Sequence, residues 1–231
     1  MWHPVIRALE SDVEVLAPDR PGYGHNPLEG GGVGENVEWL AGLVDHQPAI
    51  VVAHSWAGSV ALAFAARYPE RTRGLVLVGS VGPGAVTRTD RLLARPVLGP
   101  LATRPVFWAA HPVVRRTVSR TREPDTRQAL LTAIDASRAR SVWRTFLVEQ
   151  HALVDELPAV LDGLSAVTTP TAVLAGTRDR VVPFRTAKAL AAGLPTAELI
   201  PVARGGHQLH RTHPEVIAAA VHRVLDCSAH R

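Results

Sequence analysis

The sequence predicts an α/β fold in which a mainly parallel sheet is flanked by helices and interrupted by an inserted helical cap. Two observations support this prediction. Short apolar runs alternate with segments of helical periodicity along most of the chain, which is the pattern of a parallel sheet covered by helices. Between them, residues 88–164 contain no β-branched run of strand length. That stretch therefore indicates several short helices inserted into the sheet-forming sequence.

The elements before the insertion alternate between helix and strand. In chain order they are a helix over Trp2–Leu9, a strand over Val13–Ala17 ending in the turn PDRPGYGHN, a helix over Glu35–Asp45, a strand over Ala49–Ala53, a helix over Ala57–Tyr68 and a strand over Leu75–Val78. Small residues predominate in the helix Ala57–Tyr68, and the Pro and Gly residues of PDRPGYGHN are typical of loops.

Strand character returns after the insertion. The later elements are strands over Thr171–Ala175 and Glu198–Val202 and helices over Ala187–Ala192 and Pro214–Leu225. The chain is thus expected to divide into a first part of the core over 1–84, a helical cap over 85–166 and a second part of the core over 167–231.

Composition narrows the class of protein. The 231 residues are 46% hydrophobic and 20% charged, which is enough apolar material for a buried core. No apolar run approaches the roughly 20 residues of a membrane helix, and the N-terminus lacks the features of a signal peptide. We therefore expect a cytoplasmic protein without a membrane partner. Cys227 is the one cysteine, so no internal disulfide and no paired-thiol metal site are expected. No cofactor is expected either.

The basic character of the chain comes from arginine. The formal net charge is +4 and the isoelectric point is 10.1, with Lys188 the one lysine. Residues 88–144 hold twelve arginines and four acidic residues. A solvated helical face explains this excess, and attraction of acidic substrates or anionic surfaces is the alternative. No nucleic-acid partner is expected.

Ser55 is the first candidate functional residue. It follows the predicted strand Ala49–Ala53 and precedes a helix, in the stretch IVVAHSWAGS. Ala53 and Ala57 flank it two residues away on each side, and Gly58 follows. A nucleophile held in a tight strand-to-helix turn needs such small neighbours, because larger ones would collide with the adjoining elements. The competing interpretation is a serine that caps the following helix.

A serine becomes a good nucleophile when a base takes its proton, so a histidine and an acid are expected downstream. Asp179 lies in GTRDRVVP, after the strand Thr171–Ala175, and His207 lies in ARGGHQLH, after the strand Glu198–Val202. Carboxyl ends of parallel strands meet at one sheet edge. Asp179 could instead be a turn residue. His210 and His213 compete with His207.

These motifs resemble the α/β-hydrolase family over the whole length of the chain. The family's G-x-S-x-G turn appears as AHSWA, its acid loop as GTRDRVVP, its histidine loop as GGH and its post-strand turn as PDRPGYG. The resemblance implies Ser55 as nucleophile, His207 as general base and acid, and Asp179 as the carboxylate that orients the histidine. It also implies that the backbone N–H of Trp56 is one oxyanion donor.

The resemblance implies a reaction on a small-molecule substrate. Dehalogenases and epoxide hydrolases of this fold carry aspartate at the position of Ser55, which favours acyl transfer here. A serine hydrolase of carboxylic esters is expected. The alternatives are a carbon–carbon bond hydrolase, a relative similar to cofactor-free haloperoxidases and one similar to proline iminopeptidases. Trp108 and Trp143 are the aromatic candidates for a pocket wall.

Relatives carry a strand and a His-Gly loop upstream of the segment that here begins MWHPVIRALE. That loop supplies the second oxyanion N–H in the family. We therefore expect a shortened N-terminal part, with the first strands and the loop absent. A non-catalytic or impaired relative that binds a small molecule or a partner is accordingly the alternative to an enzyme.

Overall fold

The computed structural model of the chain describes residues 2–9, 11–44, 47–119, 127–128, 131–132, 135 and 142–229. Four strands form one sheet within these ranges, in the order β1-β2-β3-β4, and every pair is parallel. They are β1 (Ala49–His54), β2 (Thr72–Val78), β3 (Thr171–Gly176) and β4 (Ala197–Val202).

The helices cover the sheet and form the segment between β2 and β3. They are α1 (His3–Leu9), α2 (Val33–Leu43), α3 (Ala57–Arg67), α4 (Arg88–Leu93), α5 (Leu98–Val118), α6 (Val142–Asp155), α7 (Leu157–Asp162), α8 (Phe184–Gly193), α9 (Leu209–Thr212) and α10 (Pro214–Ala229). Two short 3₁₀ helices, Pro69–Arg71 and Leu164–Ala166, precede β2 and β3.

The two central strands are buried on both faces. Successive side chains of β2 and β3 point to opposite sides, so each strand contributes to two separate cores. Val76 and Val78 pack on one side with α1 and α10, while Leu75 and Leu77 pack on the other side with α3 and α8. This arrangement confirms the predicted parallel sheet flanked by helices.

The chain divides into two compact units. The first comprises residues 1–17, 33–86 and 156–231 and contains the sheet, and the second comprises residues 18–32 and 87–155. The prediction of an inserted cap over 85–166 stays a prediction. In the described ranges, no helix combines the length and the apolar character that crossing a membrane requires.

A buried carboxylate holds the second unit together. Glu149 lies in α6, where Tyr23 Oη donates to its Oε2 at 2.8 Å and Arg20 Nη2 lies 2.7 Å from its Oε1. Thr145 Oγ1 on the same helix donates to the carbonyl of Gly22 at 3.3 Å. Burial raises the pKa of Glu149, and the nearby Arg20 opposes this rise. These bonds attach the loop of residues 18–32 to α6.

The predicted strand over Val13–Ala17 is wrong. Val13 and Val15 are half-buried against the core while Leu16 is exposed, so the alternation of a strand is present. However, a strand requires a hydrogen-bonded neighbour, and the described residues place none beside this segment. The partner of β1 in the sheet is β2. The segment therefore lies outside the sheet.

The predicted series of short helices after β2 is also partly wrong. The helix α5 runs for 21 residues and contains Pro105 and Pro112. Proline removes one main-chain donor and crowds the preceding turn, which usually ends a helix. Here the helix continues through both prolines.

Candidate active site

Three of the predicted site residues follow three different strands at the same edge of the sheet. Ser55 follows β1 directly, Asp179 lies in the loop after β3, and His207 lies in the loop after β4. The strands are parallel and in register, with Leu75 opposite both Val51 and Thr171. Their carboxyl ends therefore lie side by side, and the three loops meet there.

Ser55 adopts a backbone conformation that is rare for its residue type. Its φ is 58°, in the left-handed region that favours glycine. Its N–H donates to the carbonyl of Val78 at 3.0 Å, and its own carbonyl accepts from the N–H groups of Gly58 and Val81 at 3.0 and 3.2 Å. These bonds fix the sharp turn between β1 and α3. The hydroxyl stands at the tip of that turn.

The first turn of α3 packs tightly against the segment after β2. A Cβ atom on Gly58 would overlap the Oγ of Ser80 and lie 2.7 Å from its Cβ. Ser80 is itself buried, so it has little room to move away. Glycine at position 58 thus allows the serine turn to sit on the central strand, which gives a structural reason for the small residues after Ser55.

Hydrogen bonds connect the three side chains in series. His207 Nε2 lies 3.1 Å from Ser55 Oγ, and His207 Nδ1 lies 2.8 Å from Asp179 Oδ2. The side chain of His207 is 11% exposed and that of Asp179 is fully buried. The structure therefore brings together the three residues that the sequence had singled out.

The carboxylate of Asp179 is saturated with donors. Its Oδ1 accepts from the N–H groups of Val181 and Val182 at 2.8 and 2.9 Å, and its Oδ2 faces His207. Burial by itself raises the pKa of Asp179, but the hydrogen bonds from His207, Val182 and Val181 outweigh that effect. The pKa consequently lies below the ordinary value of 3.8. Asp179 is thus a charged partner for the imidazole at neutral pH.

Gly79 is a site residue that the sequence analysis missed. It follows β2 with a φ of 51°, and a Cβ there would lie 3.3 Å from His207 Nδ1 and 3.4 Å from Asp179 Oδ2. A side chain at this position would press on the bond between the imidazole and the carboxylate. A glycine directly after an apolar strand was the available signal in the sequence.

A second histidine, His54, also lies in this site and was missed. It is the last residue of β1, and its Nε2 lies 2.9 Å from the carbonyl oxygen of His207. Its ring centroid is 4.6 Å from the rings of both His207 and His210. Burial lowers the pKa of His54 to about 4, so that the ring is neutral at physiological pH. Its place directly before Ser55 was the only signal in the sequence.

The competing histidines, His210 and His213, contact residues other than Ser55. His210 is fully buried against Trp2, with ring centroids 5.0 Å apart, and neither ring nitrogen has a hydrogen-bond partner within the described part of the chain. Burial lowers its pKa to about 4. His213 Nδ1 lies 2.8 Å from Thr212 Oγ1. The histidine that faces Ser55 is therefore His207.

The tryptophans named from the sequence occupy different settings. Trp56 follows Ser55 and its side chain is buried. Trp108 and Trp143 belong to the second unit. Trp108 is 74% exposed, while Trp143 is half-buried beneath the guanidinium of Arg144, 5.3 Å from the ring centroid. Their role as a pocket wall stays a prediction. No group of three or more His, Cys, Asp or Glu side chains in the described ranges could hold a metal ion.

Comparison with known proteins finds one matching family model and several similar hydrolases. A family model described as the alpha/beta hydrolase family matches residues 1–220. The chain is 29% identical over 224 residues to 2-hydroxymuconate semialdehyde hydrolase from Pseudomonas putida, covering 91% of this chain and 76% of that protein. It is 28% identical over 241 residues to pimeloyl-[acyl-carrier protein] methyl ester esterase from Aromatoleum aromaticum, covering 97% and 92%.

A solved structure supports the same fold. A thermophilic esterase from Thermogutta terrifontis, with malate bound, matches with a TM-score of 0.70 over 98% of this chain and 85% of that chain. The two sequences are 23% identical. At that identity the match speaks for the fold alone.

Gly58→Ala should lower the free energy of unfolding by about 1–3 kcal/mol, because the added methyl group overpacks Ser80. The same change in the presence of Ser80→Gly should cost clearly less, because the overlapping atoms are gone. Urea denaturation of the four proteins in this cycle measures the coupling. Gly42→Ala in α2 is the control, since a Cβ there meets no atom within 4 Å. Additive effects of the two changes would contradict the packing argument.

The loss of solvation at His54 and His210 should make the fold acid-sensitive. Their pKa is about 4 in the folded state and 6.5 ordinarily, so the unfolded chain binds more protons between these values. Their contribution to the free energy of unfolding is therefore full above pH 6.5, and it is lost as the pH falls towards 4. The pKa of Asp179 lies below 3.8, so its own contribution is lost only at lower pH.

His210→Phe keeps an aromatic ring and removes one of the two titrating groups. Denaturation curves at pH 7 and pH 4.5 should show a smaller loss of stability for this variant than for the wild type. The quantity to compare is the loss of stability between pH 7 and pH 4.5 in the two proteins, because other groups titrate in the same range and contribute equally to both. His25→Gln, at an exposed position, controls for the loss of a histidine. Equal acid sensitivity of His210→Phe and the wild type would contradict the assignment.

Proposed function

The chain belongs to the alpha/beta hydrolase family, whose model matches residues 1–220, and on that premise we propose that it is a serine hydrolase. The expectation of an α/β-fold hydrolase is confirmed at the level of family and enzyme class by its similarity to named hydrolases and esterases. The proposal adds the reaction, which is cleavage of carboxylic ester or related acyl bonds of a small molecule through an acyl-enzyme.

One observation carries this proposal, namely the unbroken series of hydrogen bonds from Ser55 through His207 to Asp179, at 3.1 and 2.8 Å. Both distances are within the range in which a base can take a proton from a hydroxyl and a carboxylate can orient the base. The buried setting of Asp179 excludes water from the second bond. The arrangement suits nucleophilic attack by a serine.

In the proposed reaction, Ser55 Oγ attacks the carbonyl carbon of the substrate while His207 Nε2 accepts the hydroxyl proton. The carbonyl oxygen gains negative charge, and the backbone N–H of Trp56 is the donor that we assign to it. The protonated imidazole then donates its proton to the departing alkoxide. An acyl group remains on Ser55.

Hydrolysis of the acyl-enzyme repeats these roles with water. His207 takes a proton from the attacking water molecule, and it returns a proton to Ser55 Oγ when the carbon–oxygen bond to the serine breaks. Asp179 stays ionised throughout and stabilises the imidazolium that forms in each half of the reaction. Its low pKa is consistent with this role.

Cleavage of a carbon–carbon bond next to a ketone is the second candidate reaction. The observation that favours it is the similarity to 2-hydroxymuconate semialdehyde hydrolase, whose named substrate carries no ester linkage. The esterase from Aromatoleum aromaticum favours the ester reaction. Parallel assays with acyl esters of graded chain length and with a vinylogous diketone distinguish the two candidates.

A non-catalytic binding protein is the alternative from a different functional class. It predicts that Ser55 is unreactive towards a fluorophosphonate, whereas a serine hydrolase is labelled. We retain Trp108 and Trp143 as candidates for the pocket wall. The cytoplasmic location, the lack of a cofactor and the lack of a nucleic-acid or membrane partner stay predictions from the sequence.

Ser55→Ala should abolish both ester hydrolysis and fluorophosphonate labelling, because no other hydroxyl lies in the hydrogen-bonded series. The rate of ester hydrolysis should fall by roughly 10³-fold or more. Ser59→Ala is the matched control. Ser59 lies in the same helix, but its hydroxyl donates to the carbonyl of Trp56 at 2.7 Å. Intact-protein mass spectrometry counts the label, and labelling that persists in Ser55→Ala would refute Ser55 as the nucleophile.

Asp179→Asn should lower kcat by roughly 10³- to 10⁴-fold with little change in the fold. If the amide oxygen keeps the bonds from Val181 and Val182, the amide nitrogen faces His207. The imidazole must then carry its proton on Nε2, where it cannot accept one from Ser55.

The measurement is kcat for an activated ester across the pH range, with circular dichroism as the check on folding. Wild-type activity should decline towards acid pH, because a protonated imidazole cannot act as the base. Asp12→Asn, at an exposed carboxylate, is the control for the chemical change. An Asp179→Asn enzyme as fast as the wild type would show that another acid serves His207.

A further inference from the structure

His54 connects the strand that carries Ser55 to the main chain of His207. It ends β1 and immediately precedes Ser55 in sequence, and its Nε2 lies 2.9 Å from the carbonyl oxygen of His207. The two residues are 153 positions apart in sequence. The contact therefore connects the end of β1, which leads into Ser55, directly to the main chain of the loop that contains His207.

The direction of this hydrogen bond follows from its partners. A carbonyl oxygen can only accept, so the His54 Nε2 must carry the hydrogen and donate it. The ring is neutral at physiological pH, since burial lowers its pKa to about 4, and it therefore holds a single N–H. The charged and titratable groups that act on it are His207, Asp179 and His210. The bond to the carbonyl fixes the tautomer of His54.

The orientation of the His54 ring is fixed by its neighbours. The ring packs against those of His207 and His210, each 4.6 Å away between centroids, and the His210 ring meets it edge-on. His210 is in turn packed against Trp2. These two ring contacts restrict the rotation of the His54 side chain, with its Nε2 within hydrogen-bond distance of the His207 carbonyl oxygen.

His207 needs such a restraint because of the chain that leads to it. Main-chain bonds to Val202 and Arg178 hold Gly205, but Gly206 directly precedes His207 and a Cβ atom there would meet nothing within 4 Å. Glycine allows more backbone conformations than any other residue. The bonds to Asp179 and Ser55 involve the ring of His207 and do not restrain its main chain. The bond from His54 acts on the carbonyl group of the residue itself.

We propose that His54 is a positioning residue for His207: by donating from Nε2 to the His207 carbonyl oxygen, it holds the base within hydrogen-bond reach of Ser55. The inference rests on the proposed function, in which His207 is the base. His54 touches neither the reacting atoms nor the proton that is transferred. Its effect is on the fraction of time during which His207 faces Ser55 correctly.

Two variants of similar shape separate positioning from packing. His54→Gln keeps an N–H donor at nearly the distance of Nε2, whereas His54→Met has a similar length and no donor. With p-nitrophenyl butyrate as the probe, His54→Met should lower kcat by roughly 10- to 100-fold, because small misplacements of a catalytic group have effects of this size. KM should change less than about twofold, and His54→Gln should recover most of kcat.

A spectroscopic measurement reports on His207 without any turnover. The proton on His207 Nδ1, in its bond to Asp179, should give a low-field ¹H resonance in the wild type and in His54→Gln. In His54→Met this resonance should broaden or disappear, because the imidazole is no longer held in one place. Thermal unfolding of all three proteins identifies any general loss of structure. If His54→Met fails to fold, His54→Phe repeats the test with a ring that lacks a donor.

The outcomes are separable. Equal kcat and equal low-field resonances in folded His54→Met and His54→Gln would overturn the positioning role. A loss of kcat in both variants, matched by equal losses of thermal stability, would also overturn it and assign His54 to packing. If the wild type neither hydrolyses the ester nor reacts with a fluorophosphonate, the proposed function fails, and the resonances still decide whether His54 holds His207.

Discussion

The conformation of Ser55 is the constraint on which the site depends. A serine with a φ of 58° costs on the order of 1–3 kcal/mol relative to an ordinary backbone and persists only where its surroundings enforce it. Here the main-chain groups of Ser55 bond to Val78, Val81 and Gly58. Two of these partners belong to β2 or the segment after it. The central strand and the segment after it thus hold Ser55 in this conformation.

Burial has opposite consequences for the acidic and the basic groups around this serine. Asp179 is buried but accepts hydrogen bonds from Val181, Val182 and His207, so its charge persists and its pKa is low. His54 and His210 have no hydrogen bond to a carboxylate in the described ranges, and at His54 the loss of solvation outweighs the charge of Asp179, so both rings remain neutral. His207 lies between these two environments. Its Nδ1 faces the negative charge of Asp179, its Nε2 faces the hydroxyl of Ser55, and its ring packs against the neutral ring of His54.

The relatives show how far this geometry limits the chemistry. One of the proteins that the chain resembles is named for a semialdehyde and another for a methyl ester. The fold and the family are common to them, while the named substrates differ. A fold places a site but does not by itself choose the substrate. In this chain Ser55, His207 and Asp179 belong to the unit that contains the sheet, and the arginine-rich segment of residues 88–144 belongs to the other unit.

The sequence by itself determined the parallel sheet and the three residues at its edge. Apolar runs mark the strands, and Ser55, Asp179 and His207 each follow such a run, so parallel pairing alone brings them together. Tertiary structure decided the rest. Val13–Ala17 has the alternation of a strand, but a strand exists only beside a partner. The contact between His54 and the carbonyl of His207 joins residues 153 positions apart and involves a main-chain atom, which no side-chain pattern encodes. The approach of Gly79 to the imidazole likewise depends on how loops from different strands pack, because local sequence sets where a strand ends and only packing sets what lies next to that end.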